Sequence, residues 1–226
     1  MSCYKGIHTN YCNPIIQNNH VLQVYTTSPK NFTGIYVEQT VGADINGNRV
    51  DSTYDVEYAI QLKNATTEDF YIRNNHVFVG NTNYGIALEN CSATATDTGY
   101  IYNNEVVLYP VTAAASYAVQ IKNSNNLQVT NNSFYIKSDA PYSNTAALRI
   151  ENNNNTFLNN NILLNYTNCS DNTNYPLYLN GTSSVTGSLN NLVSASGVIA
   201  YKTVARTIHW QSTKSRYNSM LWVHTS

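Results

Sequence analysis

A seven-residue segment recurs along this chain as TGIYVEQ, YAIQLKN, YGIALEN, YAVQIKN, AALRIEN and YPLYLNG, with a degraded seventh copy, SGVIAYK. Units this short cannot bury a face alone, so a chain built from them folds by stacking each copy on the next. Third positions are Ile35, Ile60, Ile86, Val119, Leu148, Leu177 and Val198; fifth positions are Val37, Leu62, Leu88, Ile121, Ile150, Leu179 and Ala200. They alternate with mostly polar neighbours, which is the period of a β-strand with one buried face.

A second unit sets the pitch. Asn pairs stand at Asn18-Asn19, Asn74-Asn75, Asn103-Asn104, Asn131-Asn132, Asn159-Asn160 and Asn190-Asn191, and Gly47-Asn48 fills the missing place. Their first members are separated by 29, 27, 29, 28, 28 and 31 residues, the length of one solenoid turn. Within a turn, YAIQLKN is followed by FYIR, the Asn pair and HVFVG, so three strands make one coil. A two-residue corner needs backbone with positive φ, which Asn and Gly tolerate. Identical corners stacked at about 4.8 Å bring their amides within hydrogen-bonding reach.

Two further columns agree with in-register stacking. Gln39, Asn64, Asn90, Asn123 and Asn152, with Gly181, close the first strand of successive coils. One place earlier, Glu38, Lys63, Glu89, Lys122 and Glu151 alternate in sign, so each charge has opposite neighbours above and below. A leucine-rich repeat also fits LQVTNNSF and FYIRNNHV, but it turns into a helical or irregular return after the Asn. Here HVFVG, EVVLY, SFYIK and NILLN continue as strands. The expected fold is all-β, a right-handed parallel β-helix of about seven three-stranded coils with Asn ladders. It spans residues 15 to 202, with an N-terminal edge or partial cap at 1 to 14 and a C-terminal cap or frayed tail at 203 to 226.

Polarity in this chain comes from 36 Asn, 19 Tyr and many Ser and Thr, while charged residues make up only 11%. Net charge is -1 with Lys and Arg scattered, so the basic footprint of a nucleic-acid binder is missing. Apolar runs are far shorter than the ~20 residues of a membrane span, and residues 1 to 14 hold no signal-peptide apolar region. Cys3, Cys12, Cys91 and Cys169 have no CxxC spacing; Cys3 and Cys12 stand close enough in sequence either to pair or to remain free.

The stacked strands with an Asn corner resemble the right-handed parallel β-helix, or pectin-lyase-like, superfamily over roughly residues 15 to 202. The Asn-, Thr- and Tyr-rich repeats are closest in character to adhesin-like surface proteins. That resemblance implies an extracellular or cell-surface location, a polysaccharide or cell-surface glycan as partner, and membership of a longer surface protein. It also hosts lyases and glycoside hydrolases, so fold alone does not choose. Enzymes of this superfamily place acidic clusters on the exposed face of the first strand. Here the fourth column reads Tyr36, Gln61, Ala87, Gln120, Arg149 and Tyr178, and Glu89 and Glu151 stand two coils apart, each flanked by Lys in the charge column. No catalytic residues, metal or cofactor are assigned.

The expected ligand-contacting residues are therefore Tyr36, Gln61, Gln120, Arg149 and Tyr178, on a non-catalytic spacer. The alternative is a polysaccharide lyase or glycoside hydrolase of the same fold. A third reading, a tailspike-like module, calls for an apolar exterior stripe to which Tyr71, Tyr102 and Tyr135 would contribute. The acidic stretch Asp44, Asp51, Asp55 and Glu57 has the oxygen ligands calcium takes but no matching spacing, and reads as a solvated insertion. His20 and His76 share a column two coils apart, too far to share a metal.

Overall fold

The computed structural model describes residues 5–23, 32–52, 56–66, 68–80, 82–94, 96–110, 115–138, 145–167, 174–194, 200–202 and 209–211. Its strands form three parallel sheets of eight, eight and seven strands, each joining a strand to its counterpart one coil away. One coil is Val56–Ala65, Phe70–Arg73 and His76–Val79, contributing in turn to the first, second and third sheets. The chain is thus a parallel β-solenoid, and no helix of the described residues is long and apolar enough to cross a membrane.

Stacked inward columns make the core. Ile45, Ile72 and Ile101 lie in register on the second sheet, and Val50, Val77, Val106, Phe134 and Leu163 on the third, nearly all without exposed surface. In the first sheet the third and fifth positions are buried as the alternation predicts. The second position is buried as well: Ala59, Ala118 and Ala147 have no exposed surface. Two adjacent inward residues mean that the strand bends there, and the bend leaves little room. A Cβ on Gly85 would stand 2.4 Å from Val106 Cγ1, which explains why this column holds Gly or Ala in every copy from Gly34 to Ala147, with Pro176 after them.

The corner between the second and third sheets carries the hydrogen-bonding frame. Asn18, Gly47, Asn74, Asn103, Asn131, Asn160 and Leu189 all have φ between 52 and 64°. The residue after each is Asn19, Asn48, Asn75, Asn104, Asn132, Asn161 or Asn190, and its side chain turns inward. Asn104 donates from its backbone N–H and from Nδ2 to Oδ1 of Asn132, at 3.0 and 3.1 Å, and from Nδ2 to the Ile72 carbonyl of the coil before, at 2.8 Å. Its own Oδ1 accepts from the N–H and Nδ2 of Asn75. The same set repeats from Asn48 through Asn161, so two donors and two lone pairs are used at every level.

This frame corrects the sequence register in two coils. In the run Asn159–Asn161 the left-handed residue is Asn160 and the buried one Asn161; further on, Leu189 takes the corner and Asn190 the ladder. Successive steps then become 29, 27, 29, 28, 29 and 29 residues. The last first-sheet strand is shifted too. Leu177 pairs with Ala200 and Leu179 with Lys202, so Ala200 occupies the third position and not the fifth.

Stacking also starts earlier than residue 15. Lys5–Asn10 pairs in parallel with the next coil, Ile7 against Ile35 and His8 against Tyr36, making KGIHTNY a copy of the repeat. Within 203 to 226, His209–Gln211 adds a strand to the second sheet beside Val185–Ser188; the rest of that segment, like Cys3, Asp55, Cys169 and Val198, lies outside the described residues.

Other corners repeat the device with different atoms. Gln39, Asn64, Asn90, Asn123 and Asn152 take φ between 49 and 55°, and an exposed amide ladder runs from Asn152 through Asn123 and Asn90 to Asn64 at 3.2–3.4 Å. Beneath it the Cys91 N–H donates to Ser124 Oγ, and the Ser124 N–H to Asn153 Oδ1. Cys91 is fully buried, which pushes its thiol up to about 12.

Replacing Asn104 by Leu fills the same space but deletes every side-chain hydrogen bond at one level. Chemical denaturation should show a loss of about 1–3 kcal/mol. An Asn103→Gly variant, which keeps the left-handed corner, should lose less; equal losses would show that the ladder amide carries no special weight.

Candidate functional site

Because the second and third positions both point inward, the first, fourth and sixth positions of the first sheet point outward. The fourth column is in register from His8 through Tyr36, Gln61, Ala87, Gln120, Arg149 and Tyr178. The expected contact residues thus share one face, but five strand intervals put Tyr36 and Tyr178 about 24 Å apart. They are also covered: Tyr36, Gln61 and Ala87 are buried, at 9, 8 and 3% exposure, and Gln120 and Tyr178 are half-buried.

What covers them is an outer aromatic layer. Tyr58 and Tyr84 stack with ring centroids 4.8 Å apart and planes within 10°, and Tyr84 meets Tyr117 at 5.8 Å. Where Ala146 interrupts this column, Arg149 fills the gap, its guanidinium 4.7 Å from the Tyr117 ring and 5.6 Å from that of Tyr178. Nη1 donates to Tyr117 Oη at 2.8 Å, and Nη2 to Glu151 at 2.6 Å. At the other end His8 stacks on Tyr36 at 5.0 Å, Lys5 Nζ stands 3.8 Å from the Tyr36 ring centre, and Tyr36 Oη donates to Glu38 at 2.5 Å. Burial, then the Glu38 carboxylate, push the Tyr36 hydroxyl above its ordinary value, and that hydroxyl holds Glu38 below the usual carboxylate range.

The carboxylates considered as acid or base are likewise engaged. Glu89 pairs with Lys63 at 3.1 Å and Glu151 with Arg149. The acidic stretch divides between faces, Asp44 on the second sheet with Arg73 at 2.7 Å, and Asp51 on the third with His20 at 2.8 Å and Arg49 at 2.5 Å. His20 and His76 do share a column, with Arg49 between them. Among the described residues no three His, Cys, Asp or Glu gather to hold a metal ion.

A run of exposed apolar side chains lies on the third sheet instead. Leu22, Asp51, Phe78, Val107, Tyr135, Leu164 and Val193 form one outward column. Rings of Phe78, Tyr109, Tyr135 and Tyr166 follow one another at 5.4, 6.2 and 5.9 Å, and Phe78, Tyr109, Ile162 and Tyr166 are 36 to 43% exposed. Tyr71 and Tyr102, in contrast, belong to the second sheet, where Tyr71 stacks on Tyr100 at 5.3 Å. The sequence does carry a signal for this stripe: HVFVG, EVVLY and NILLN are apolar at consecutive positions, as strands with both faces covered are.

No family model, curated protein or solved structure matches this chain.

Tyr36→Phe tests the pairing with Glu38. A carboxylate whose folded pKa is depressed adds stability above its unfolded value, and that stability is lost as pH falls through the folded one. The variant should therefore be weaker by about 1–2 kcal/mol at pH 7 in urea titrations. At a pH below the folded value of Glu38 the gap should narrow; a gap independent of pH would count against the pairing.

Proposed function

We propose that this chain is a rigid, non-catalytic, adhesin-like segment of an extracellular or cell-surface protein, contacting carbohydrate along the outer face of its third sheet. One observation carries the reading: the aromatic run of Phe78, Tyr109, Tyr135 and Tyr166, exposed at all but the half-buried Tyr135, continues from coil to coil along one side of the rod. Aromatic faces suit the C–H surfaces of pyranose rings, and a stack of coils presents them at intervals of about one sugar ring. Engagement of Glu89 and Glu151 by cations supports the non-catalytic part against the lyase or hydrolase alternative.

The same stripe favours a second reading, side-by-side packing of copies. Size weighs against it. Seven strands at about 4.8 Å, each four residues of about 3.3 Å, give a face of roughly 29 by 13 Å, or some 400 Å². A standard protein interface buries about 800 Å² per partner, so an extended glycan fits this face better.

A glycan array probed with the purified chain, with and without calcium and followed by a product assay on any hit, tests the proposal. Binding without turnover is the expected result, with Phe78→Ala combined with Tyr166→Ala weakening it roughly tenfold or more. Cleavage products would establish the enzyme alternative. A multimer by light scattering that the same double variant dissolves would establish the second reading.

A further inference from the structure

Beside Lys5–Asn10, the edge strand of the first sheet among the described residues, the corners of three coils line an open cleft of about 670 Å³. Tyr11, Cys12 and Asn13 line it from the first coil, Gln39, Thr40 and Val41 from the second, and Asn64 and Thr66 from the third. The volume lies within the ~300–1,000 Å³ of small-molecule sites.

Three features distinguish this cleft from an ordinary groove between coils. First, the exposed amide ladder stops there. Asn152, Asn123 and Asn90 each donate Nδ2 to the coil before, but Asn64, which accepts from Asn90 at 3.2 Å, gives its own Nδ2 to no acceptor among the described residues. Its neighbour in the column is Gln39, one methylene longer and exposed, whose carboxamide has no partner among the described residues either. One amide donor and one complete amide therefore face the cleft unspent.

Second, the next place in that column is Tyr11, an aromatic residue at φ 56°, where other coils put Gln, Asn or Gly. Left-handed backbone is rare for a bulky side chain, and here it holds the ring 75% exposed at the mouth of the cleft. Third, the floor is fixed. Asn13 Oδ1 accepts from the N–H groups of Val41 and Gly42, each at 3.2 Å, and the single hydroxyl proton of Thr40, whose Oγ1 also stands 3.2 Å from Asn13 Oδ1, goes to the nearer Gly42 carbonyl.

We infer that this corner cleft is a binding site for a neutral saccharide, Tyr11 stacking on a pyranose face while Gln39, Asn64 and Thr66 exchange hydrogen bonds with its hydroxyls. The lining contains no ionised side chain, so nothing in it offsets the desolvation of a uronate or a phosphate. Planar amides donate and accept in one plane, as vicinal hydroxyls require. The inference takes its ligand class from the carbohydrate-contacting reading above and its location from the cleft alone.

Cys12 supplies an independent readout, because its thiol is free, exposed and part of the lining. The test is calorimetric titration of the full chain with glucose, galactose, mannose and N-acetylglucosamine, beside glucuronate and galacturonate, together with the alkylation rate of Cys12 followed by peptide mapping. Saturable binding of at least one neutral sugar, weaker binding of the uronates and slowed alkylation of Cys12 in the sugar's presence are the expected results. Tyr11→Ala and Asn64→Gly, the latter keeping the left-handed corner, should each weaken binding about tenfold without moving the melting temperature of the stacked core. No saturable binding, or binding and alkylation indifferent to both substitutions, would overturn the inference. Sugar binding abolished by the Phe78 and Tyr166 substitutions but kept by Tyr11→Ala would sink the cleft and leave the third-sheet reading standing; the opposite pattern would do the reverse.

Discussion

Everything in this solenoid depends on the buried Asn side chain at the corner between the second and third sheets. A two-residue corner leaves backbone carbonyl and N–H groups facing the core, where water cannot reach them. Asn is the side chain that carries two donors and two lone pairs on a group small enough to turn inward there. Asn104 spends all four, reaching the carbonyl of the coil behind and the amide of the coil ahead. Each level therefore completes its neighbours, and an unsatisfied level would leave the next with unpaired buried groups. The strength of this constraint shows at Leu189, which adopts φ 55° and stays half exposed so that Asn190 can enter the ladder. A left-handed Leu costs about 1–2 kcal/mol, and it is tolerated because the alternative register would break the hydrogen-bond frame.

The frame fixes what the outside can do. Since every coil repeats at one strand spacing, any outward residue becomes a column, and its chemistry is decided by the neighbours above and below. On the first sheet this produces closed arrangements: charges alternate, tyrosines stack, and Arg149 occupies the gap left by Ala146. Such a face has used its interactions internally. On the third sheet the column is apolar from Phe78 onward and the rings of Phe78, Tyr109 and Tyr166 stay exposed, and at the first corner the amide ladder runs out at Asn64. Surface with unspent binding capacity is thus found where columns change character or end.

Legibility followed the physical range of each signal. Strand alternation at Ile60 and Leu62, the charge column from Glu38 to Glu151 and the corner Asn pairs are local patterns repeated at a fixed pitch, and they place the coils, with the corner one residue off in two of them. KGIHTNY does not stand out as a copy in the sequence because His8, Thr9 and Tyr11 replace the residues the other copies share, and its place in the repeat comes from the pairing of His8 with Tyr36. The run Asn159–Asn161 offers two equivalent readings in sequence; only pairing of Asn159 with Thr130 makes Asn160 the corner. The fourth column was readable as a column, but its burial was not, because that depends on rings from other coils folding over it.

Architecture follows from the amino-acid order alone: a period near 28 residues, inward aliphatic positions and Asn at a tight corner leave a stacked parallel solenoid as the arrangement that buries the apolar set and satisfies the polar one. Tertiary structure alone decided which of its surfaces are available. Exposure of Tyr166 and cover over Gln61 arise from contacts between residues about one coil apart in the chain, and the end of a ladder exists only once the ladder has formed. The reason is that a repeat encodes what each coil has in common, whereas a binding surface is made from the places where neighbouring coils differ.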